Sequence, residues 1–198
     1  MKTLILAVTF SISSLVVLAQ NPHPHFGLKA GLNIADLKVE NGADLDPRAS
    51  FYIGGLAHIH MTRNFALQPE LYFSSQGAKS DDPDYSINLN YINLPILVQY
   101  MTGTGFRLQT GPQIGALLSA KQKLGSTSTN MKDDFNSIDF SWAFGAGFVS
   151  NSGLGIDARY NLGLNDIAEG NSKVQNRVLS IGLFYQFGVS DARRTARN

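Results

Sequence analysis

Residues 138–164, IDFSWAFGAGFVSNSGLGIDARYNLGL, contain two alternating segments joined by the turn-forming residues 150–153. In the first segment every second residue from Ile138 onward is apolar, and most of these are aromatic, while the residues between them are mainly small. In the second segment apolar residues alternate with glycine and with polar residues that include Asp157 and Arg159. Strict alternation places successive side chains on opposite faces of a strand, so this stretch predicts a β-hairpin.

The composition of the two faces predicts what surrounds the hairpin. One face is bulky and apolar, and the other is small or charged. A soluble barrel would pack the bulky face into its core, and the glycine-rich face would then have the wrong composition for a solvated exterior. The pattern fits better if the apolar face meets lipid and the small polar face lines a narrow lumen.

The same alternation recurs through most of the chain and predicts an all-β fold. Including the hairpin, the strands are predicted at residues 26–35, 51–61, 65–77, 91–100, 106–118, 138–149, 154–164 and 177–187. Tight turns follow the second, fourth and sixth strands. Longer, mobile loops follow the others, at residues 36–50, 79–86, 119–137 and 166–176. This layout is typical of an eight-stranded antiparallel up-and-down transmembrane β-barrel with its turns, and hence both termini, in the periplasm.

The N-terminus has the features of a secretory signal peptide. Lys2 precedes an apolar run over residues 4–18, and small residues lead to a predicted cleavage between Ala19 and Gln20. A membrane anchor is the alternative, but this run is shorter than the roughly 20 residues that a spanning helix needs. The predicted organisation is a signal peptide at 1–19, a lead-in at 20–25, the barrel at 26–188 and a disordered basic tail at 189–198.

The overall composition is compatible with this interpretation. The chain contains no cysteine, so neither disulfides nor lipoprotein acylation is expected. A net charge of +1 argues neither for nor against a polyanionic partner. The mean hydropathy of −0.05 resembles that of a soluble protein. However, a membrane barrel hides its hydrophobicity by alternating it, so this value does not exclude one.

Aromatic residues are predicted to form two belts at the two membrane interfaces. The belt at the turn side is expected to contain Phe26, Phe65, Tyr100, Phe106, Phe148, Tyr185 and Phe187. The belt at the loop side is expected to contain Phe51, Phe73, Phe140 and Trp142.

Charged residues on the small face are the strongest candidates for a functional site. They are Lys29, Glu70, Arg107, Asp157 and Arg159. The interior of an eight-stranded barrel is just wide enough to be filled by side chains, and charges there must pair. We therefore expect a salt-bridged plug, and a gated ion path through the same residues is the alternative. Lys29 and Asp157 are expected to pair, because the first and seventh strands both flank the eighth.

Other candidate sites are weaker. His58 and His60 share one face of a strand, but a metal site needs a third or fourth ligand, and the remaining histidines lie in the lead-in. Both are therefore predicted to be polar lumen residues. The acidic residues at 81–84 lack the spacing of a known calcium loop. The loops contain no histidine that could activate a nucleophile, so no catalytic residue, metal or cofactor is predicted.

Several segments resemble the Bacteroidetes outer-membrane β-barrel proteins called PorT-like or "porin family" proteins. They are GLKAGLN (27–33), LQPELYFSSQG (67–77), YINLPILVQY (91–100), GPQIGALLSAK (111–121), GLGIDARYNLGLNDI (153–167) and RVLSIGLFYQF (177–187). The resemblance implies an eight-stranded barrel in the outer membrane of a Gram-negative bacterium. It implies little about activity, and no residue here carries over the secretion role of the family's namesake.

The sequence therefore predicts a non-enzymatic outer-membrane barrel with a structural or interaction role. Recognition would reside in the extracellular loops, because loops on a rigid scaffold carry binding sites. Outer-membrane lipid, lipopolysaccharide and a protein partner at the loops are the expected contacts. We expect a monomer that does not bind nucleic acid. A narrow pore for ions or small solutes is the alternative, and a soluble lipocalin-like carrier is a more remote one.

Overall fold

The computed structural model describes residues 24–39, 46–79, 85–168 and 174–188, and most of them lie in antiparallel strands. The predicted signal peptide and the basic tail lie outside the described residues. The strands are β1 (His25–Val39), β2 (Asp46–His60), β3 (Phe65–Lys79), β4 (Tyr85–Met101), β5 (Phe106–Leu124), β6 (Thr127–Asn130), β7 (Ile138–Val149), β8 (Leu154–Gly163) and β9 (Val174–Gln186). One turn of 3-10 helix, Lys132–Asp134, follows β6. No helix within the described ranges is both long and apolar enough to span a membrane.

Eight of the described strands close into a barrel. Around the ring the strand order is β1-β2-β3-β4-β5-β7-β8-β9, and every neighbouring pair is antiparallel. The pairing of β9 with β1 closes the ring. The short β6 pairs only with β5 in the described part and continues that hairpin beyond the ring. The predicted eight-stranded antiparallel barrel is confirmed.

The two ends of the barrel differ in their connections. At one end, which we call the turn end, residues 61–64, 102–105 and 150–153 each join two strands. Gly153 has a φ of +89°, and a Cβ at this position would lie 2.3 Å from the carbonyl oxygen of Gln186. The turn that joins β7 to β8 therefore requires glycine there. The opposite end carries the longer connections, and we call it the loop end.

The exterior of the barrel is apolar, and its interior is polar. Leu32 and Leu183, for example, point outward and are 68% and 58% exposed, whereas Lys29 and Glu70 point inward and are buried. Alternation along each strand produces this sorting. The outward apolar residues form a continuous band about 20–25 Å high once strand tilt is included. This arrangement is the reverse of a lipocalin-like carrier and excludes that alternative.

Above the band, toward the loop end, the side chains of β1 keep the same inward and outward alternation, but the apolar residues move from the outer to the inner face. Leu32 and Ile34 on β1 are exposed, but Ala35 and Leu37 are buried in the lumen. The wall continues upward with mainly polar residues outside, and nearest the loop end its inner face is apolar, as in a soluble barrel. We call this upper wall the collar; it comprises residues 35–39, 46–50, 74–79, 85–91, 117–124, 127–130 and 174–178.

The collar corrects the predicted loops. Strands extend well into the predicted loops 36–50 and 119–137, and to a lesser extent into 79–86 and 166–176. The prediction was wrong because it followed the outward apolar residues, which stop at the edge of the band, whereas the hydrogen-bonded ladders continue. The lead-in was also one residue too long, because β1 begins at His25 rather than at Phe26.

Candidate functional site in the barrel lumen

Four of the five predicted lumen charges meet near the middle of the barrel. Lys29 on β1, Glu70 on β3, and Asp157 and Arg159 on β8 form what we call the charge quartet. The Nζ atom of Lys29 lies 3.0 Å from a Glu70 oxygen and 3.3 Å from an Asp157 oxygen. Arg159 contacts the same two carboxylates at 2.8 Å and 3.4 Å. Two cations and two carboxylates therefore balance within one buried cluster.

The hydrogen bonding of the quartet is dense. The two terminal nitrogens of Arg159 each donate to one oxygen of Glu70 at 2.8 Å, a bidentate geometry that is among the strongest side-chain pairings. Gln68 donates to Glu70 at 2.8 Å, and Tyr52 donates to Asp157 at 3.3 Å. The space between the quartet and its neighbours admits no water-sized sphere. The lumen is therefore filled at this level.

Glycines on neighbouring strands make room for the quartet. Gly145 and Gly147 on β7 are paired with Arg159 and Asp157, and Gly182 on β9 is also paired with Asp157. A Cβ at Gly182 would lie 2.1 Å from the hydroxyl oxygen of Tyr52. The small residues that alternate with the apolar face thus leave space in a narrow lumen for long charged side chains.

Arg107, the fifth predicted charge, makes different contacts nearer the turn end. Its guanidinium nitrogens donate to Gln99 at 3.4 Å and to Gln186 at 3.3 Å. The guanidinium carbon also lies 5.4 Å from the centre of the Phe184 ring, within range of a cation–π contact. Phe184 packs with Leu56 and Val149 in what we call the inner apolar cluster. This cluster helps to fill the lumen below the quartet.

The three histidines within the described residues, His25, His58 and His60, lie at the turn end. His58 is buried and lies 3.3 Å from the side-chain oxygen of Gln68, whereas His60 is exposed at the end of β2. Their ring centres are 4.6 Å apart, and the ring of His25 lies 5.8 Å from that of His60. The prediction that His25 lies in a lead-in was wrong, because it pairs with His58 in the β1–β2 ladder. Among the described residues, no three His, Cys, Asp or Glu side chains are placed to hold a metal ion.

A layer of uncharged polar residues lies between the quartet and the loop end. Asn33 donates to Ser74 at 2.9 Å and accepts from Ser180 at 2.8 Å. Nearer the loop end, Asn176 donates to both Gln76 and Asp139. These side chains were not predicted as site residues. Like Lys29, they occupy inward positions of their strands. Extending the inward/outward alternation of each strand beyond its outward apolar residues would have identified them.

The loop end of the lumen is closed by apolar side chains, which we call the apolar cap. Its buried members are Leu37, Ala78, Leu89, Tyr91, Leu117, Ala120, Phe135, Ile167 and Val174. Phe135 and Ile167 come from the connections rather than from strands. Asn136 holds these connections together, because its side chain donates to the carbonyl of Asp166 at 2.9 Å. Apolar side chains thus close the lumen at the loop end, and the inner apolar cluster helps to fill it below the quartet.

The predicted belt residues all lie on the outer surface of the barrel. Ten of them are exposed, whereas Phe73 is half-buried beside Phe51, with ring centres 5.8 Å apart. Trp142 donates its indole N–H to Thr110 at 2.8 Å, which satisfies a polar group on the lipid-facing side. Phe144 and Tyr160 are also outward and paired with each other, but they lie between the two belts.

Comparison with known protein families identifies this architecture. The family model of the outer membrane protein beta-barrel domain matches residues 18–169, which is more than half of the chain. The chain belongs to the outer membrane protein beta-barrel domain family. It is thus an outer-membrane barrel, and its last strand, β9, lies beyond the matched residues. Members of this family are outer-membrane β-barrels.

Solved structures of other outer-membrane barrels have the same fold. Neisserial surface protein A has a TM-score of 0.58 with 15% identity, over 84% of this chain and 100% of that one. Ail, the attachment invasion locus protein of Yersinia pestis, has a TM-score of 0.55 with 15% identity over the same shares of the two chains. A complex of Ail with the heparin analogue sucrose octasulfate has a TM-score of 0.52. No curated protein sequence matches the chain significantly.

Proposed function

We propose that this outer-membrane barrel is a closed, non-conducting protein with a structural or interaction role. The observation that supports this most directly is the filled lumen, in which the charge quartet lies between the inner apolar cluster and the apolar cap. A continuous water path would have to separate the quartet and also displace the apolar cap at the loop end. Separating a buried ion pair leaves uncompensated charges at a cost of about 3–5 kcal/mol.

The proposed setting is the outer membrane of a Gram-negative bacterium, with the turn end and both termini in the periplasm. Short turns on the periplasmic side and longer connections outside are the usual arrangement of such barrels. The segments similar to PorT-like proteins favour a member of that group from the Bacteroidetes. All four histidines lie in the first sixty residues, so the loop-end connections contain no histidine that could serve as a catalytic base.

Recognition is proposed to occur at the loop end. Lys121 and Lys123 are exposed on the outer face of β5 in the collar, above the apolar band. Lipopolysaccharide phosphates lie at this height of an outer membrane, so these lysines are suited to contact them. A protein partner would bind the collar and its connections. Apolar residues surround the barrel as expected for a monomer in lipid, and neither lumen nor collar suggests a nucleic-acid site.

Conductance in planar lipid bilayers tests the closed lumen. We expect the purified, refolded chain to leave the membrane at its baseline current, because no water path crosses the quartet. A known porin added to the same bilayer afterwards confirms that an inserted channel would be seen, and the heat-modifiable gel mobility of a folded barrel verifies that the chain itself is folded. Stable open channels of nanosiemens size from the wild-type chain would instead support the narrow pore.

A further inference from the structure

The outer wall of the collar carries three exposed lysines on nearby strands. Lys79 lies at the end of β3, and Lys121 and Lys123 lie near the end of β5. Their sequence neighbours Ala78 and Ala120 are buried in the apolar cap, so Lys79 and Lys121 point outward, and Lys123 shares the face of Lys121. We call these three residues the lysine patch.

The strand register brings the three lysines close together. Ser86 on β4 is paired with Lys79 on one side and with Lys123 on the other. The backbones of Lys79 and Lys123 are therefore two strand spacings, or about 10 Å, apart, and Lys121 and Lys123 are about 7 Å apart along β5. Because lysine has a long flexible stem, side chains at these distances can direct their ammonium groups toward one anion.

The positive charge of the lysine patch is not compensated by the described residues around it. No carboxylate among them forms an ion pair with any of the three lysines, although Asp46 is the partner of Lys79 in the β2–β3 ladder. The connection at residues 80–84 lies outside the described residues. Across the ring, by contrast, Arg177 on β9 is paired directly with Asp36 on β1. Uncompensated positive charge in the described wall is thus concentrated on one side of the collar.

Below the lysine patch the same wall becomes apolar. Asn90 on β4 donates to Ser119 on β5 at 3.0 Å, which gives an uncharged polar layer. Leu118, the next residue toward the turn end, is exposed, and so are Leu94 and Ile114, which are paired across β4 and β5. Down these two strands, charged, uncharged polar and apolar side chains follow one another. The phosphate, sugar and acyl chains of an outer-leaflet glycolipid have the same order.

We propose that the lysine patch binds the phosphate of one molecule of lipid A, the glycolipid anchor of lipopolysaccharide. Lys121 and Lys123 form charge-assisted hydrogen bonds with the phosphate, and Lys79 adds positive charge from β3. The acyl chains lie against Leu118 and the apolar residues of β4 and β5 below it. The site depends on the proposed function, which places the loop end at the lipopolysaccharide leaflet, and it assigns that contact to one side of the barrel.

Native mass spectrometry of the refolded full chain in detergent, titrated with purified lipid A, tests the site. We expect the wild type to bind one lipid A, and to lose this binding when the phosphates of the same lipid A have been removed enzymatically. Lys121→Gln combined with Lys123→Gln should weaken binding about 30-fold, the effect of removing two lysines from an anionic lipid surface.

A second double variant controls for net charge. Lys38→Gln combined with Lys132→Gln removes the same charge from an exposed collar position on β1 and from the exposed 3-10 turn. Its affinity for lipid A should stay within about twofold of the wild type. The heat-modifiable gel mobility of each variant verifies that the barrel is folded.

Equal weakening by the two double variants would overturn the proposal, because binding would then follow net charge alone. Unchanged binding after removal of the phosphates would overturn it as well, and so would equally tight binding of phosphatidylglycerol. Open channels in planar bilayers would refute the closed barrel without altering this readout. A failure of lipid A binding would, conversely, leave the closed lumen intact.

Discussion

Glu70 holds the charge quartet together at the scale of single residues. It accepts hydrogen bonds from Lys29, from both terminal nitrogens of Arg159 and from Gln68. Asp157 also contacts both cations, but its distances of 3.3 Å and 3.4 Å are longer. Loss of the Glu70 charge would leave two buried cations facing one carboxylate.

We therefore expect Glu70→Gln to lower the free energy of unfolding by about 3–5 kcal/mol, the usual effect of removing one partner from a buried ion pair. Urea titration of the chain folded into lipid vesicles, followed by gel mobility, measures this change. The double variant Lys29→Gln with Glu70→Gln restores charge balance and should lose less than the sum of the two single variants. A Glu70→Gln variant as stable as the wild type would show that the quartet contributes little to the fold.

At the scale of one strand, the outward face of β9 shows how the barrel meets lipid. Its exposed residues Leu179, Ile181, Leu183 and Tyr185 alternate with buried ones. Leu183 lies in the middle of this series and is paired with Ala30 on β1 and Ile156 on β8, which are apolar residues. Near the start of the same strand, Gln175 lies in the collar and is paired with the exposed Lys38. One strand thus contacts both lipid and water.

This difference in environment can be measured with the same substitution at both positions. Leu183→Arg should destabilise the folded barrel in vesicles by about 2–4 kcal/mol, because a cation at the bilayer midplane is costly. Gln175→Arg should change the stability by less than about 0.5 kcal/mol, as is usual for a surface position. Equal effects at the two positions would mean that the apolar band does not face lipid.

At the scale of the whole molecule, the two ends of the barrel are predicted to face opposite compartments. Ser126 lies in the connection between β5 and β6 at the loop end, and Gly103 lies in the turn between β4 and β5. Both positions are exposed, and a Cβ at Gly103 would meet no other atom within 4 Å. The absence of cysteine from the chain makes single-cysteine labelling specific.

In intact cells we expect Ser126→Cys to react with a maleimide carried on a large polyethylene glycol that does not cross the outer membrane. Gly103→Cys should react only after the outer membrane has been permeabilised, because its turn is proposed to face the periplasm. The shift of the labelled band on a gel reports the reaction. Labelling of Gly103→Cys in intact cells, with Ser126→Cys protected, would reverse the proposed orientation.

The fold was predictable wherever one physical rule applied along a whole strand. The hairpin at 138–164 alternates from end to end, and the structure pairs Phe148 with Ile156 as such a hairpin requires. Lys29 and Glu70 belong to the lumen by the same alternation. What the sequence could not supply was the distance between side chains on different strands. Arg107 has the same phase as the quartet, yet it lies nearer the turn end and contacts glutamines.

The collar was not predicted because its side chains are sorted in the opposite way to those within lipid. Within lipid an outward residue must be apolar, but above the interface it meets water, and the apolar residues turn inward. In β5 the change occurs between neighbours, since Leu118 is exposed and Leu117 is buried in the apolar cap. Such a reversal within one strand weakens any periodic signal. It therefore made an ordered ladder resemble a polar loop.

The collar also affects the thermodynamics of recognition. The ladder between β4 and β5 continues from the band to Leu124 with one register shift between Asn90 and Tyr91, and β6 is hydrogen-bonded to its upper end. The exposed side chains of these strands are therefore attached to a backbone that is already ordered in the folded protein. A partner that binds them would have no loop to immobilise, and would lose only about 0.5–1.5 kcal/mol of entropy for each flexible side chain it immobilises.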